Sequence, residues 1–359
     1  MPYFYPLFAS LSALVVFATL LPLWKHPHWI VRGLDFPRLQ ILVLGLLVLV
    51  AELLALPMAY WQSQILVIPL MLCLIWQARL ILPYTRVWRT EVKNTGSMPI
   101  SADGNIASIS VLNANVLMTN HNAKPLMTLV ERLQPDILVT LESDLWWQQH
   151  LDKLSNRMPY QIPCPLDNLY GMHVYSRLPL EDASIDFRVQ DGIPSMHAWA
   201  RLENGERVEI YFLHPAPPSP TENEESTERD QELIQVARMI RERPSNWPVL
   251  VTGDLNDTAW SATTRLFRKI SGLLDPRIGR GPFNTFHADF RLLRWPLDHL
   301  FHSEHFTLSD IQRGPHIGSD HFPLYAKLQL NSQPVKGQDG IEATEEEKEW
   351  AEQLARGER

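Results

Sequence analysis

Two short strings could do chemistry. Gly253-Asp254-Leu255-Asn256-Asp257 follows the apolar run Pro248–Thr252, and Gly318-Ser319-Asp320-His321-Phe322 follows the loop Arg313–Ile317. An apolar run ending in Gly-Asp-x-Asn reads as a buried strand that delivers a carboxylate and a carboxamide at its C-terminal end. A carboxylate binds a divalent cation, and a carboxamide holds a water or an oxyanion. The second string sets a metal or proton partner beside a general base. Hard oxygen ligands with one imidazole and no cysteine form the ligand set of a Mg2+- or Mn2+-dependent phosphoester hydrolase. Taken singly, each string has a plainer reading. Asp254 could be a turn residue or cap a helix, because Asp-x-Asn-Asp is good capping chemistry, and Asp320-His321 could lie in a surface loop.

Such side chains need strands to carry them. Strand character runs over residues 106–116, 136–141, 171–176, 208–214, 249–252, 297–301 and 322–330. Lys124–Leu133 is amphipathic, and Arg229–Arg243 puts Leu233, Val236, Ala237 and Ile240 at i, i+3, i+4 and i+7, so both predict helices. Strand runs that finish on polar residues, with two helices between, predict a layered α/β sandwich of sheets flanked by helices. In that frame His173 is expected to be a satisfied strand residue, and Tyr175, Ser176 and Arg177 are candidates to line the cleft. His299 and His302 are expected to be non-catalytic. Pro215–Pro220 predicts an exposed loop, and residues 332–359 an acidic tail that turns helical from 341 onward.

The order of the motifs narrows the fold. Along the chain come Asn115-Val116, Pro135–Glu142, Gly171–Pro179, Phe212-Leu213-His214-Pro215, Gly253–Asn256, Leu297-Asp298-His299-Leu300, Gly318–His321 and a closing strand. This order resembles the endonuclease/exonuclease/phosphatase superfamily, with its DNase I-like fold, over residues 106–331, in a membrane-anchored bacterial-type member. The resemblance implies a four-layer α/β/β/α sandwich with the site at the top of two packed sheets. It implies Glu142 as the principal metal ligand, Asn115 completing the metal shell or holding the phosphate, and Asp320 on the metal side. Asp254 and Asn256 would orient the attacking water and bind the scissile phosphate. Asp298 would fix the tautomer of His321, and His214 would be a second phosphate-binding histidine. The implied cofactor is Mg2+ (or Mn2+). Asn113, two residues back on the same strand face, is the alternative to Asn115. The chain departs from the pattern at Leu141, where a glutamine is usual, and at His299, where Tyr or Arg is common.

The first part of the chain reads as membrane. Residues 3–24, 39–61 and 65–83 are apolar stretches of about the 20 residues that cross a bilayer core. Tyr3, Tyr5, Trp24, Trp29, Tyr60, Trp61, Tyr84 and Trp88 stand at their edges, as in aromatic belts. The first stretch lacks the basic n-region and Ala-x-Ala site of a cleaved signal peptide. Lys25, Arg32 and Arg38 in one connection, and Arg86, Arg89 and Lys93 after the third stretch, fall on one side if all three span, which predicts a cytoplasmic C-terminal domain on an inner membrane. Glu52 within the second stretch is expected to be protonated and hydrogen-bonded between helices. The predicted division is therefore an anchor over 1–93, a linker over 94–105, a catalytic domain over 106–331 and a tail over 332–359.

Composition bounds the partners. Net charge is −8, and beyond residue 95 acidic residues outnumber basic ones, which argues against tight binding to long duplex DNA. Cys73 and Cys164 are the two cysteines, too few for a disulfide framework or a zinc-thiolate site. The expected function is that of a membrane-anchored, divalent-metal-dependent phosphoesterase, whose substrate is a nucleic acid, a lipid headgroup or a small phosphoester. A DNA or RNA nuclease and a catalytically inactive membrane scaffold are the alternatives. A transporter built on Glu52 fails on size, since three spans enclose no substrate pathway without oligomerisation.

Overall fold

The structure is a computed structural model that describes residues 4–97, 107–244 and 247–358. The greater part of the predicted linker, and the predicted strand start at Ile106, lie outside the described residues, as does Tyr3.

The chain starts with α1 (Phe4–Leu20), a short α2 (Trp29–Gly33), α3 (Arg38–Ala55) and α4 (Trp61–Ile81). Helices α1, α3 and α4 are each long and apolar enough to cross a membrane. They meet through Val15, Ala18, Ile41, Val48, Leu70 and Leu74. The second apolar stretch stops at Ala55 rather than running to residue 61. Leu56 precedes Pro57, and its extended backbone (φ −103°, ψ 139°) is the conformation that a following proline imposes. Ser12 donates to Glu52 at 2.6 Å, so the Glu52 carboxyl is hydrogen-bonded between two helices.

Beyond residue 107 strands and helices alternate: β1 (Ser108–Asn115), α5 (Lys124–Leu133), β2 (Ile137–Leu141), α6 (Leu145–Leu151), β3 (Tyr160–Cys164), β4 (Met172–Ser176), β5 (Leu180–Asp186), β6 (Ser195–Arg201), β7 (Arg207–Leu213), α7 (Thr227–Arg241), β8 (Val249–Asp254), α8 (Ala262–Ser271), β9 (Asp298–His302), β10 (Phe306–Arg313), β11 (Leu324–Leu330) and α9 (Glu345–Ala355). Two sheets result, in the orders β10-β11-β1-β2-β4-β3 and β5-β6-β7-β8-β9. Their inner faces meet through Ile109, Val111, Val139, Val174, Ala198, Ile210, Phe212, Leu250 and Leu300. Leu126, Leu129 and Trp147 cover the outer face of the first sheet, and Leu233, Val236 and Phe267 cover that of the second. The architecture is thus the expected four-layer α/β/β/α sandwich.

Two parallel pairs set the polarity. β1 runs parallel to β2, with Asn115 beside Leu141, and β7 runs parallel to β8, with Leu213 beside Gly253. Each pair is joined through a helix, α5 or α7, as parallel strands require. Four strand C-termini therefore open at one end of the sandwich. The antiparallel strands β9 and β11 begin at that same end, with Asp254 paired to Asp298.

Candidate active site

Each predicted site residue stands at that open end. Asn115 closes β1, Glu142 follows β2, His214 follows β7, Asp254 closes β8, Asp298 opens β9, and Asp320 and His321 precede β11. The backbone is bent to place two of them. Glu142 (φ 54°) and Asn256 (φ 50°) both adopt the left-handed conformation. Asn tolerates it, whereas for Glu142 it stores about 1–3 kcal/mol that the surrounding structure must offset. Gly253 (φ 149°) is required by its neighbour, because a Cβ there would lie 1.8 Å from the Leu213 carbonyl oxygen.

A line of hydrogen bonds joins the side chains. Asp298 Oδ2 lies 2.8 Å from His321 Nδ1, and Asp254 Oδ2 lies 3.4 Å from His321 Nε2. Asn113 donates to Asp298 Oδ1 at 3.0 Å. Asn115 Nδ2 donates to Glu142 Oε1 at 2.8 Å and to Asp254 Oδ2 at 3.3 Å. Asp254 Oδ1 accepts from the Asn256 backbone N–H at 2.9 Å, while Asn256 Nδ2 donates to the Pro215 carbonyl at 3.0 Å, beside His214. Both asparagines considered for β1 therefore enter the site, at different carboxylates.

Burial and charge set the protonation states. Burial alone would lower His321, but carboxylates at both ring nitrogens overcome it and raise the group to about 10. Burial raises Asp254 above its ordinary value against the pull of His321. Glu142 is pushed up to about 7 by burial, with Asp320 and Asp254 adding to the rise against Asn115 and His321. His214 is buried and held down to about 4, and its Nδ1 has no hydrogen-bond partner.

This donor set suits a hard divalent cation. Asp254, Asp298 and His321 offer ligand atoms within 4.8 Å of one another, close enough to hold an ion. The His321 Nδ1, however, is already engaged by Asp298 at 2.8 Å. Glu142, raised chiefly by burial with Asp320 and Asp254 adding to the rise, is a carboxylate whose charge an added cation would favour.

The plainer readings of Asp254 and His321 fail, His173 is the satisfied strand residue expected, and the cleft role of Tyr175, Ser176 and Arg177 needs correction. Asp254 does not cap a helix, because Ser261 caps α8. His321 does not lie in a surface loop, being 4% exposed. Ser176 and Arg177 do not line the cleft: Met172 pairs with Leu141 near Glu142, whereas Ser176 pairs with Ile137 four residues back, about 13 Å away. Arg177 pairs with Asp136 at that remote end, and Tyr175 points outward to Asp152 at 2.8 Å. His173 is a satisfied strand residue, 2.7 Å from Ser143 Oγ. His299 is fully buried against Arg277 and the Asp257 carbonyl. Sequence reasoning missed Tyr170, whose ring lies 5.4 Å from that of His214, and Phe286, 4.9 Å from His321. No spacing signal marks either residue.

Known proteins share this architecture. A sequence model of the Endonuclease/Exonuclease/phosphatase family matches residues 112–321. Uncharacterized protein YbhP of Escherichia coli (strain K12) is 28% identical in an alignment of 173 positions that covers 45% of this chain and 63% of YbhP. The chain thus spans just under two thirds of that curated relative. Among solved structures, D. rerio TDP2 complexed with a single-strand DNA product aligns with a TM-score of 0.52 and 17% identity, over 62% of this chain and 98% of that one. The human Nocturnin catalytic domain with a bound sulfate anion aligns with a TM-score of 0.51 and 17% identity, over 62% and 95%. At these identities the likeness is one of fold.

Proposed function

The chain belongs to the endonuclease/exonuclease/phosphatase family, and on that premise we propose that it is a membrane-anchored, divalent-metal-dependent hydrolase of phosphoester bonds. One observation carries the reading: the line Asp298–His321–Asp254, tied by Asn115 to Glu142 at the open end of both sheets. A core that needed only to fold would not gather four carboxylates around one imidazole.

The roles follow from the protonation states. A bound Mg2+ or Mn2+, held by Glu142 with Asn115 and Asp320 beside it, would neutralise charge developing on the phosphoryl oxygens. Asp254, made more basic by burial and oriented by the Asn256 N–H, accepts the proton of the attacking water. His321, raised by the carboxylates at both ring nitrogens, is placed to donate to the phosphate. Asp298 fixes that ring from Nδ1, and Asn113 fixes Asp298. His214 stays neutral and offers its unpartnered ring nitrogen. Asn256, through Pro215, fixes the segment that carries His214.

We place α1, α3 and α4 across the bilayer, with the domain on the cytoplasmic side by the placement of Lys25, Arg32, Arg38, Arg86, Arg89 and Lys93. A nucleic-acid substrate has the fold of DNA-bound TDP2 in its favour and the acidic charge balance against it.

The test uses the full chain in detergent micelles. Bis(4-nitrophenyl) phosphate, single- and double-stranded DNA, RNA and phospholipid vesicles are each offered with Mg2+, with Mn2+ and with EDTA. EDTA-sensitive hydrolysis that disappears in His321→Ala is expected. A folded protein silent on every substrate would favour an inactive scaffold.

A further inference from the structure

The segment between β8 and β9 contains a feature the mechanism does not use. Phe286 and Trp295 pair backbone to backbone and close a hairpin-like excursion. Its base is fastened to the site: Phe286 also bridges to His321, and the Ala288 N–H donates to the Asp320 carbonyl at 2.6 Å. Its tip is apolar and uncovered, with Phe290 57%, Leu292 84% and Leu293 46% exposed. A cluster of that kind beside a polar cleft marks a contact surface.

The neighbour of that tip is α3. Gln40, in the first turn of α3, donates to the Leu292 carbonyl at 2.6 Å. Trp295 packs edge-on against Phe36, at 5.5 Å between ring centres, in the connection that leads into α3. The outward face of α3 begins at this level with Leu39 and continues through Val43 and Leu47, all exposed and apolar. At 1.5 Å per residue, Gln40 lies only about 3 Å into that helix. If α3 spans a bilayer, Leu292 therefore stands at the edge of the hydrocarbon layer. Arg291, exposed, and Arg294, half-buried and donating to the His287 and Ala288 carbonyls, flank the apolar tip. Apolar side chains flanked by arginines suit an anionic lipid surface.

We propose that the Phe286–Trp295 hairpin lies in the surface of the bilayer that α3 crosses, and that the site hydrolyses the phosphoester of a lipid in that leaflet. Water adds to phosphorus as the phosphorus–oxygen bond to the lipid alcohol breaks, so that the protonated alcohol stays in the bilayer and the headgroup phosphoester is released. The proposal rests on the membrane-anchored hydrolase reading above and adds the source of the substrate. The same loop that touches the lipid also touches Asp320 and His321, so a lipid phosphate reaches the site without leaving the interface.

The experiment uses the full chain, free of Cys73 and Cys164, in vesicles of phosphatidylethanolamine and phosphatidylglycerol. A fluorophore is attached through Leu292→Cys or, as control, through Glu203→Cys in the exposed turn at the opposite end of the sheets. Lipids brominated near the headgroup should quench the first and spare the second. In parallel, vesicles of total lipid from the expressing membranes are assayed for released aqueous phosphoester, with bis(4-nitrophenyl) phosphate as the soluble reference. Leu292→Glu and Phe290→Glu should lower lipid turnover by about tenfold, the loss expected for one unburied large side chain, and leave the soluble reference unchanged. Absence of quenching at 292 would overturn the placement of the loop. Soluble turnover without lipid turnover, or an equal fall in both, would overturn the lipid substrate. Failure of the soluble reference and of lipid turnover alike would remove the hydrolase reading instead, while quenching still decides where the loop lies.

Discussion

At the scale of single residues, the account turns on His321 held between two carboxylates. Asp298 is a positioning residue in it, since it meets His321 Nδ1 at 2.8 Å and Asn113 at 3.0 Å. Asp298→Asn keeps the shape but removes the charge and presents a donor where an acceptor is needed. It should lower kcat on bis(4-nitrophenyl) phosphate by roughly 10²- to 10⁴-fold, with KM little changed and the pH profile shifted toward a less basic imidazole. An unchanged profile would reduce Asp298 to a packing role. Gly253 carries a second prediction. Its Cβ would meet the Leu213 carbonyl at 1.8 Å at a φ of 149°, so Gly253→Ala should cost about 3 kcal/mol or more, read by thermal unfolding. Much of this site was legible because Asp254, Asp298, Asp320 and His321 sit in short strings at strand ends. Tyr170 and Phe286 were not, because only tertiary packing brings them in. Ser176 and Arg177 were misplaced, because β4 enters the site end at Met172 and leaves it.

At the scale of elements, the strands that lead to the site were readable, β9 at a sheet edge among them, and the remaining edge strands were not. β3, β5 and β10 are edge strands, and β6 pairs next to β5. β5 reads Leu-Glu-Asp-Ala-Ser-Ile-Asp and contains a bulge, and β3 holds Pro163, which an edge tolerates. α8 was missed because Thr263 and Thr264 weaken its helical signal, and the Ser261 cap that starts it lies beyond the more conspicuous Asp254. The joint between anchor and domain left no sequence signal, since its partners are far apart. Arg32 of α2 meets Asp230 of α7 at 2.8 Å, both of them buried, and the Trp260 indole donates to the Asp35 carbonyl at 2.7 Å. Arg32→Ala leaves the buried Asp230 carboxylate with Arg229 and Ser226 and should cost about 1–3 kcal/mol, the loss of one charged hydrogen bond. Asp230→Ala also takes a partner from the buried Arg229, so the double variant should cost less than the sum of the two single ones without regaining native stability, and simple additivity in thermal unfolding would show that the two do not interact.

At the scale of the whole molecule, buried histidines tie stability to pH. Burial pushes His173 and His302 down to about 4, against an ordinary value of 6.5. Their folded values lie below their unfolded ones, so between those limits the unfolded chain binds more protons. The stabilisation is complete above about 6.5 and falls as pH drops toward 4, by about 3 kcal/mol per group at most. Denaturant midpoints should fall across that window, and His302→Gln should flatten the slope. On the proposed reading, the apolar helices, the docked loop and the open end of the sandwich belong to an enzyme that works at a membrane. Its central claim is metal-dependent hydrolysis at Asp254, His321 and Glu142. The most direct test is the rate of bis(4-nitrophenyl) phosphate hydrolysis by the full chain as Mg2+ or Mn2+ is titrated in after EDTA treatment, compared with Glu142→Gln. The account predicts no turnover without metal, saturable recovery in the native chain, and a Glu142→Gln variant that needs far more metal and turns over at least about 100-fold more slowly. Turnover that ignores EDTA, or a Glu142→Gln variant with the native metal dependence, would contradict it.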